Sequence, residues 1–196
     1  MVPGPLSALR LLTALTILLV LSSCTLDGTS SRATEVGSEP ASTSNPTSPA
    51  TTRPRATAVV DRVVDGDTLV LVLGGEPERI RLIGIDTPES VAETRPNQCF
   101  GVEASLRMSE LLPEGTEVWI TRDVEARDQY GRLLAYVHRT SDDLFVNLAL
   151  VEEGYAGVFT FPPNVTYADL FVEAAARARE ADLGLWGACG GPDVDL

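Results

Sequence analysis

Three acidic clusters in this chain each abut a run of apolar, strand-like residues. They are Asp65-Gly66-Asp67-Thr68, then Arg81-Leu82-Ile83-Gly84-Ile85-Asp86-Thr87-Pro88-Glu89, then Asp128-Gln129-Tyr130-Gly131-Arg132. The pattern constrains the fold, because carboxylates at strand ends are held still. Carboxylates brought to one point also repel each other unless something positive lies between them. Arg81 and Arg132 beside them point to a substrate that carries its own negative charge. Carboxylates, a hard cation and arginines around a phosphate make a site for phosphodiester hydrolysis.

The spacing of apolar residues predicts strands over 57–64, 68–73 and 79–85, with Asp65-Gly66-Asp67 as a turn and Gly74-Gly75 starting a hairpin connection. Strands are also expected over 117–124 and 133–139. Helices are expected over 100–112, with Val102, Leu106 and Leu111 marking the period, over 144–153, and over 167–181. Periodicity alone supports a mixed α+β domain. Five strands with helices after the third and fifth also fit a five-stranded Greek-key β-barrel of the OB type, with about three packed helices.

Taken together and in order, the three clusters resemble the thermonuclease family, the staphylococcal-type calcium nucleases. The resemblance continues through Asn147-Leu148-Ala149-Leu150-Val151-Glu152-Glu153-Gly154-Tyr155-Ala156 and ends at Leu183-Gly184-Leu185-Trp186. It implies the same OB-type barrel with helices packed against it. It also implies a Ca²⁺ cofactor held by Asp67, Asp86 and the backbone carbonyl of Thr87, with waters completing an oxygen-rich shell. Asp65 would be a water-mediated or outer partner. By itself Asp65-Gly66-Asp67 reads as a solvated hairpin turn; the presence of Asp86 favours the metal reading.

Glu89 is the expected general base, orienting a water or accepting its proton for attack on phosphorus. Arg81 and Arg132 are the expected phosphate clamps, since a guanidinium offers a planar fork for two phosphate oxygens. With Ile80 and Leu82 on the other face of its strand, Arg81 must sit at a cleft or pair with a carboxylate. Tyr130 matches a family tyrosine near the substrate phosphate, although packing in the turn before Gly131 is an equal reading. The chain departs from the family in having Gln129 where a lysine is expected, and Phe159 and Phe161 where two tyrosines stack on the base. Phenylalanine keeps the stacking face and loses the hydroxyl. Spacing also allows these two residues to be core. His138 reads as a surface or strand-end residue, Asn147 as a partner of a neighbouring turn, and Trp119 and Trp186 as core or core-edge aromatics.

Composition bounds the partners. The chain has 196 residues and a formal charge of -13, with no lysine. A domain over 56–196 would hold 11 arginines against 25 acidic residues. Such a domain is a poor non-specific polyanion binder, because affinity for nucleic acid normally comes from displaced counterions. The balance counts against a pure binding module.

Residues 1–23 read as an export signal: Arg10 is the charge of a short n-region, and an apolar run covers 11–21. Leu21-Ser22-Ser23-Cys24 resembles a bacterial lipobox, which implies lipid attachment at Cys24. An ordinary secretory signal is the alternative. Residues 24–55 are rich in Ser, Thr, Pro and Ala and read as a disordered tether with a reach of roughly 30 Å. Export places Cys99 and Cys189 in an oxidising compartment, where a disulfide between them is expected.

The expected function is a Ca²⁺-dependent endonuclease acting on DNA, with RNA as an expected second substrate. The resemblance implies products with 3′-phosphate ends. The protein is expected to be a monomer held outside the cytoplasm on a bacterial membrane by its lipid, or secreted. The rival readings are a non-catalytic OB-type nucleic-acid-binding module and a structural surface lipoprotein. The first should have lost a site carboxylate or arginine, and none is lost. The second leaves the charged constellation unexplained.

Overall fold

A computed structural model describes residues 55–90 and 97–194. The expected signal peptide, Cys24 and all of the tether but Arg55 lie outside these residues.

Strand β1 (Ala56–Asp65) pairs antiparallel with β2 (Thr68–Leu73) and, on its other edge, with β5 (Glu117–Thr121). The turn Gly74-Gly75, with both φ angles positive, returns β2 into β3 (Glu76–Leu82), as a tight hairpin requires. Strand β6 (Leu133–Arg139) runs antiparallel to β5 and parallel to β3, which closes a five-stranded barrel. Closure removes open sheet edges. It also explains the alternation in the sequence. Leu69, Leu71, Ile80, Leu82, Val118, Ile120, Ala135 and Val137 point inward, each at most 2% exposed. Burying one such leucine or isoleucine contributes about 1.5–3 kcal/mol.

The helices are α1 (Gly101–Leu111), α2 (Val146–Glu152), α3 (Ala168–Glu180) and α4 (Leu185–Cys189). Two-residue β7 (Leu144–Phe145) extends the sheet beside β6, and β8 (Gly157–Phe159) pairs with β4 (Gly84–Asp86) as a separate ribbon. The barrel with packed helices is the expected α+β architecture of the OB type. The disulfide Cys99–Cys189 is present, with Cα atoms 6.0 Å apart. It fastens α4 to the segment ahead of α1, where Cys99 N–H also donates to the Val194 carbonyl at 2.7 Å.

Several expectations are corrected. The single strand over 79–85 is two strands separated at Ile83, just before Gly84, whose φ is +84°. A Cβ there would lie 2.3 Å from Phe171 Cε2, so only glycine allows α3 this close. The break redirects the chain to pair with β8 and sets Asp86 at the end of that ribbon. The strand expected to reach residue 124 stops at Thr121, and residues 144–145 are strand, not helix. Neither β8 nor α4 was expected. Helix α1 buries Gly101, Ala104, Met108 and Leu111, while Val102 and Leu106 are 49% and 60% exposed. The small residues win because the helix presses on the Glu89 backbone: a Cβ on Gly101 would meet the Glu89 carbonyl at 2.5 Å.

His138 is buried, not on the surface. Register explains it: His138 is opposite Trp119 on β5 and Phe145 on β7. The three rings stack with centroids 3.7 Å and 4.4 Å apart. Asn147 is fully buried and ties barrel strands together instead of serving a local turn. Val137 N–H donates to its Oδ1 at 3.0 Å, and its Nδ2 donates to the carbonyls of Ile83 at 3.0 Å and Ala135 at 3.4 Å. Ile83 is the residue at the break, so Asn147 satisfies a carbonyl the ladder cannot reach. Trp119 and Trp186 are both half-buried, at the core edge.

Candidate active site

The β1–β2 turn, the β4 end, the 128–132 turn and the residues around β8 line one cleft of about 840 Å³. Every residue predicted for catalysis, metal or substrate except Thr87 lines it: Asp65, Asp67, Arg81, Asp86, Glu89 and Arg132, with Tyr130, Phe159 and Phe161.

Asp67 leaves the turn at the start of β2, where it is buried. Its Oδ2 accepts Thr87 N–H at 3.1 Å, and its Oδ1 accepts the Thr68 hydroxyl at 3.0 Å. Gly66 is required beside it, because a Cβ there would lie 2.6 Å from Thr87 Oγ1. Arg81 reaches from β3, with Nη1 2.7 Å from Asp67 Oδ2. Its other terminal nitrogen, Nη2, bonds Asp86. Nη1 also donates to the carbonyls of Leu82 at 3.0 Å and Ile85 at 3.1 Å. One guanidinium therefore brings Asp67 and Asp86 together; three hydrogen-bond acceptors and the Asp67 ion pair fix its orientation. Burial pushes the Asp86 carboxyl up to about 6; Arg81 opposes this, and Asp67 and Asp193 add to it.

Glu89 follows buried Thr87 and Pro88 and opens to the cleft. Its backbone is clasped by Gln98, whose Oε1 accepts Glu89 N–H at 2.9 Å and whose N–H donates to the Glu89 carbonyl at 2.9 Å. Partial burial and the nearby carboxylates of Asp65, Asp67 and Asp86 hold its carboxyl above the usual range. A raised carboxyl beside a cleft suits an acid–base role. Asp65 accepts Gly66 N–H at 2.8 Å and the Ser90 hydroxyl at 2.6 Å, so it supports the Glu89 loop.

Arg132 is held by Asp128. The carboxylate accepts Arg132 Nε at 2.7 Å and the backbone N–H groups of Tyr130 and Arg132 at 3.0 Å and 2.9 Å. Burial raises Asp128, but the hydrogen bonds from Arg132 outweigh it, so its carboxyl sits below the usual range. Arg132 Nη1 also reaches Thr68 Oγ1 at 3.4 Å, on the face that carries Arg81. The positioning role of Asp128 was missed in the sequence, although an aspartate opening a glycine turn is a local signal for it. Asn164 was also missed: its side chain clasps both backbone groups of Glu125, and its backbone pairs with Phe161 in an isolated bridge. Tyr130, Phe159 and Phe161 are 75%, 54% and 66% exposed. That disposes of the core reading for the two phenylalanines; the Tyr130 ring, although exposed, packs in its turn under the Arg132 guanidinium, 5.4 Å from the ring centroid.

The residues fit a hard cation. All donors at Asp67, Asp86 and Thr87 are oxygens, and Thr87 Oγ1 is buried without a hydrogen-bond partner. Among the described residues no three Asp, Glu, His or Cys side chains converge on a metal position. Beyond two carboxylates the shell would therefore consist of the Thr87 carbonyl and waters.

Comparison with known proteins agrees with this geometry. The family model described as "Staphylococcal nuclease homologue" matches residues 79–188. The chain is 41% identical over 128 residues to a thermonuclease of Staphylococcus intermedius, covering 65% of this chain and 74% of that protein. It is 35% identical over 127 residues to a thermonuclease of Staphylococcus hyicus, covering 65% and 73%. It is 36% identical over 135 residues to endonuclease YncB of Bacillus subtilis, covering 67% and 62%.

Proposed function

The chain belongs to the staphylococcal nuclease family, and from that membership we propose that it is a Ca²⁺-dependent endonuclease hydrolysing DNA and RNA to products with 3′-phosphate ends. The observation that carries the reading is the convergence of Asp67, Asp86, Glu89, Arg81 and Arg132 on one cleft.

Asp67 and Asp86 are the residues that would hold Ca²⁺, which would supply positive charge there and polarise a phosphoryl oxygen. Arg81 offers its fork to the substrate phosphate. Arg132, held by Asp128, meets the same phosphate from the 128–132 turn. Negative charge grows on the phosphoryl oxygens in the transition state, so two pre-set guanidinium groups stabilise it more than the ground state. Glu89 accepts the proton of the attacking water. Tyr130 donates to a phosphate oxygen, and Phe159 and Phe161 stack on bases. We assign the protein to the extracytoplasmic side of a bacterial membrane, attached through lipid at Cys24, on the strength of the leader pattern.

The test is end-group analysis of DNA and RNA digests made with Ca²⁺ or with a chelator. Ends that accept label only after phosphatase treatment at the 3′ side support the reading. Products with 5′-phosphate ends, or equal cutting in the chelator, overturn it.

A further inference from the structure

We propose that Arg79 binds a second phosphate of the substrate, the one neighbouring the scissile phosphodiester on a single strand; the inference rests on the nuclease reading above. Arg79 lies two residues before Arg81 on β3, so both side chains leave the same face of the barrel. The Cα atoms of such a pair are about 6.6 Å apart, of the order of one phosphate-to-phosphate step. Opposite them on β2 stand Val70 and Thr68, and Thr68 is the residue Arg132 reaches. Arg79, Arg81 and Arg132 therefore share one wall of the cleft.

Arg79 also differs from its fellows. Arg62, Arg81, Arg107, Arg127, Arg132, Arg139 and Arg177 each pair with a carboxylate. Arg55 and Arg179 lie over the rings of Trp119 and Trp186, and Arg122 has an interaction of its own. Among the described residues, Arg79 alone is an exposed arginine with no such partner. A guanidinium left free in a domain this acidic keeps its full charge for an incoming anion. The cleft, at about 840 Å³, is larger than one phosphodiester needs. Gln129, also in its wall, supplies no charge, so a basic contact beyond the two clamps falls to Arg79.

The test compares wild type, Arg79→Gln and Arg177→Gln, the last removing the same charge on α3 away from the cleft. Each is assayed on a chromogenic nucleoside ester with a single phosphodiester and on a twelve-residue oligothymidylate. We expect Arg79→Gln to raise KM about tenfold on the oligonucleotide, with kcat kept and the single-diester substrate unaffected. Arg177→Gln should match wild type on both. Binding of the oligonucleotide to each protein in chelator, followed by anisotropy against salt, reads the contact without turnover. There Arg79→Gln should flatten the log–log salt slope by about 0.7. Equal behaviour of the two variants, or equal losses on both substrates, overturns the proposal. Failure of wild type to cleave either substrate counts against the nuclease reading, and the salt slope then still decides Arg79.

Discussion

Arg81 Nη1 lies 2.7 Å from Asp67 Oδ2, with the two side chains only 13% and 11% exposed. The same guanidinium holds Asp86, so a cation held there, as proposed, would compete with this arginine for the same two carboxylates. In Arg81→Gln the carboxylates lose their counter-charge. Without a cation, stability should fall by about 3 kcal/mol. Added Ca²⁺ should then raise Tm more in the variant than in wild type. kcat should fall at least about 100-fold for want of the clamp. Thermal shifts with and without Ca²⁺ check the first two; an equal Ca²⁺ shift in both proteins would show that arginine and cation do not share the carboxylates.

The stack of Trp119, His138 and Phe145 gives a pH dependence of stability. Burial lowers the His138 imidazolium below its ordinary value, with Asp143 opposing and Arg55 adding to it. A group whose folded pKa is depressed binds its proton more readily in the unfolded chain. Its stabilising contribution is therefore complete above about pH 6.5 and is lost as pH falls below that toward the folded pKa. His138→Phe keeps an aromatic ring in the stack and should flatten the loss. Denaturant unfolding at pH 8, 6 and 5 measures the difference in slope between the two proteins.

Phe159 and Phe161 project from the cleft wall with little packing to lose. Replacing either by alanine should change folding stability by less than about 0.5 kcal/mol. KM for single-stranded substrate should rise about tenfold through lost stacking. A large drop in Tm would identify them as structural residues.

Cys99 and Cys189 are 90 positions apart in sequence. In the chain-entropy view, a bond closing a loop of that length stabilises by about 4–5 kcal/mol. The double alanine variant should lose about that much in denaturant unfolding. Mass analysis without reductant should find no free thiol at either position in wild type.

Local pattern made much of this molecule legible. The period-2 alternation of Leu69 and Leu71 with Ile80 and Leu82 declares the barrel wall, and it puts Arg81 on the opposite face. The Asp-Gly-Asp turn shows where Asp67 must emerge. What was hidden depends on partners far along the chain. The break before Gly84 exists because Phe171 packs there. His138 is buried because three strands pair in one register. The α1 face was misjudged because Val102 and Leu106 advertise an apolar stripe, while close approach to the Glu89 backbone requires Gly101 and the Gly66 turn packs close to Ala104. Asp128 and Asn164 act by hydrogen-bonding backbone, which leaves little mark in composition.

The most direct measurement is plasmid degradation by the purified, disulfide-bonded chain, with Ca²⁺ and with a chelator, beside Glu89→Gln. We expect Ca²⁺-dependent cutting by wild type and a fall of at least about 100-fold in the variant, the loss of a positioned proton acceptor. No cutting by wild type at any Ca²⁺ level, or full cutting by Glu89→Gln, would contradict the assignment of this cleft as a Ca²⁺-dependent nuclease site built around Glu89.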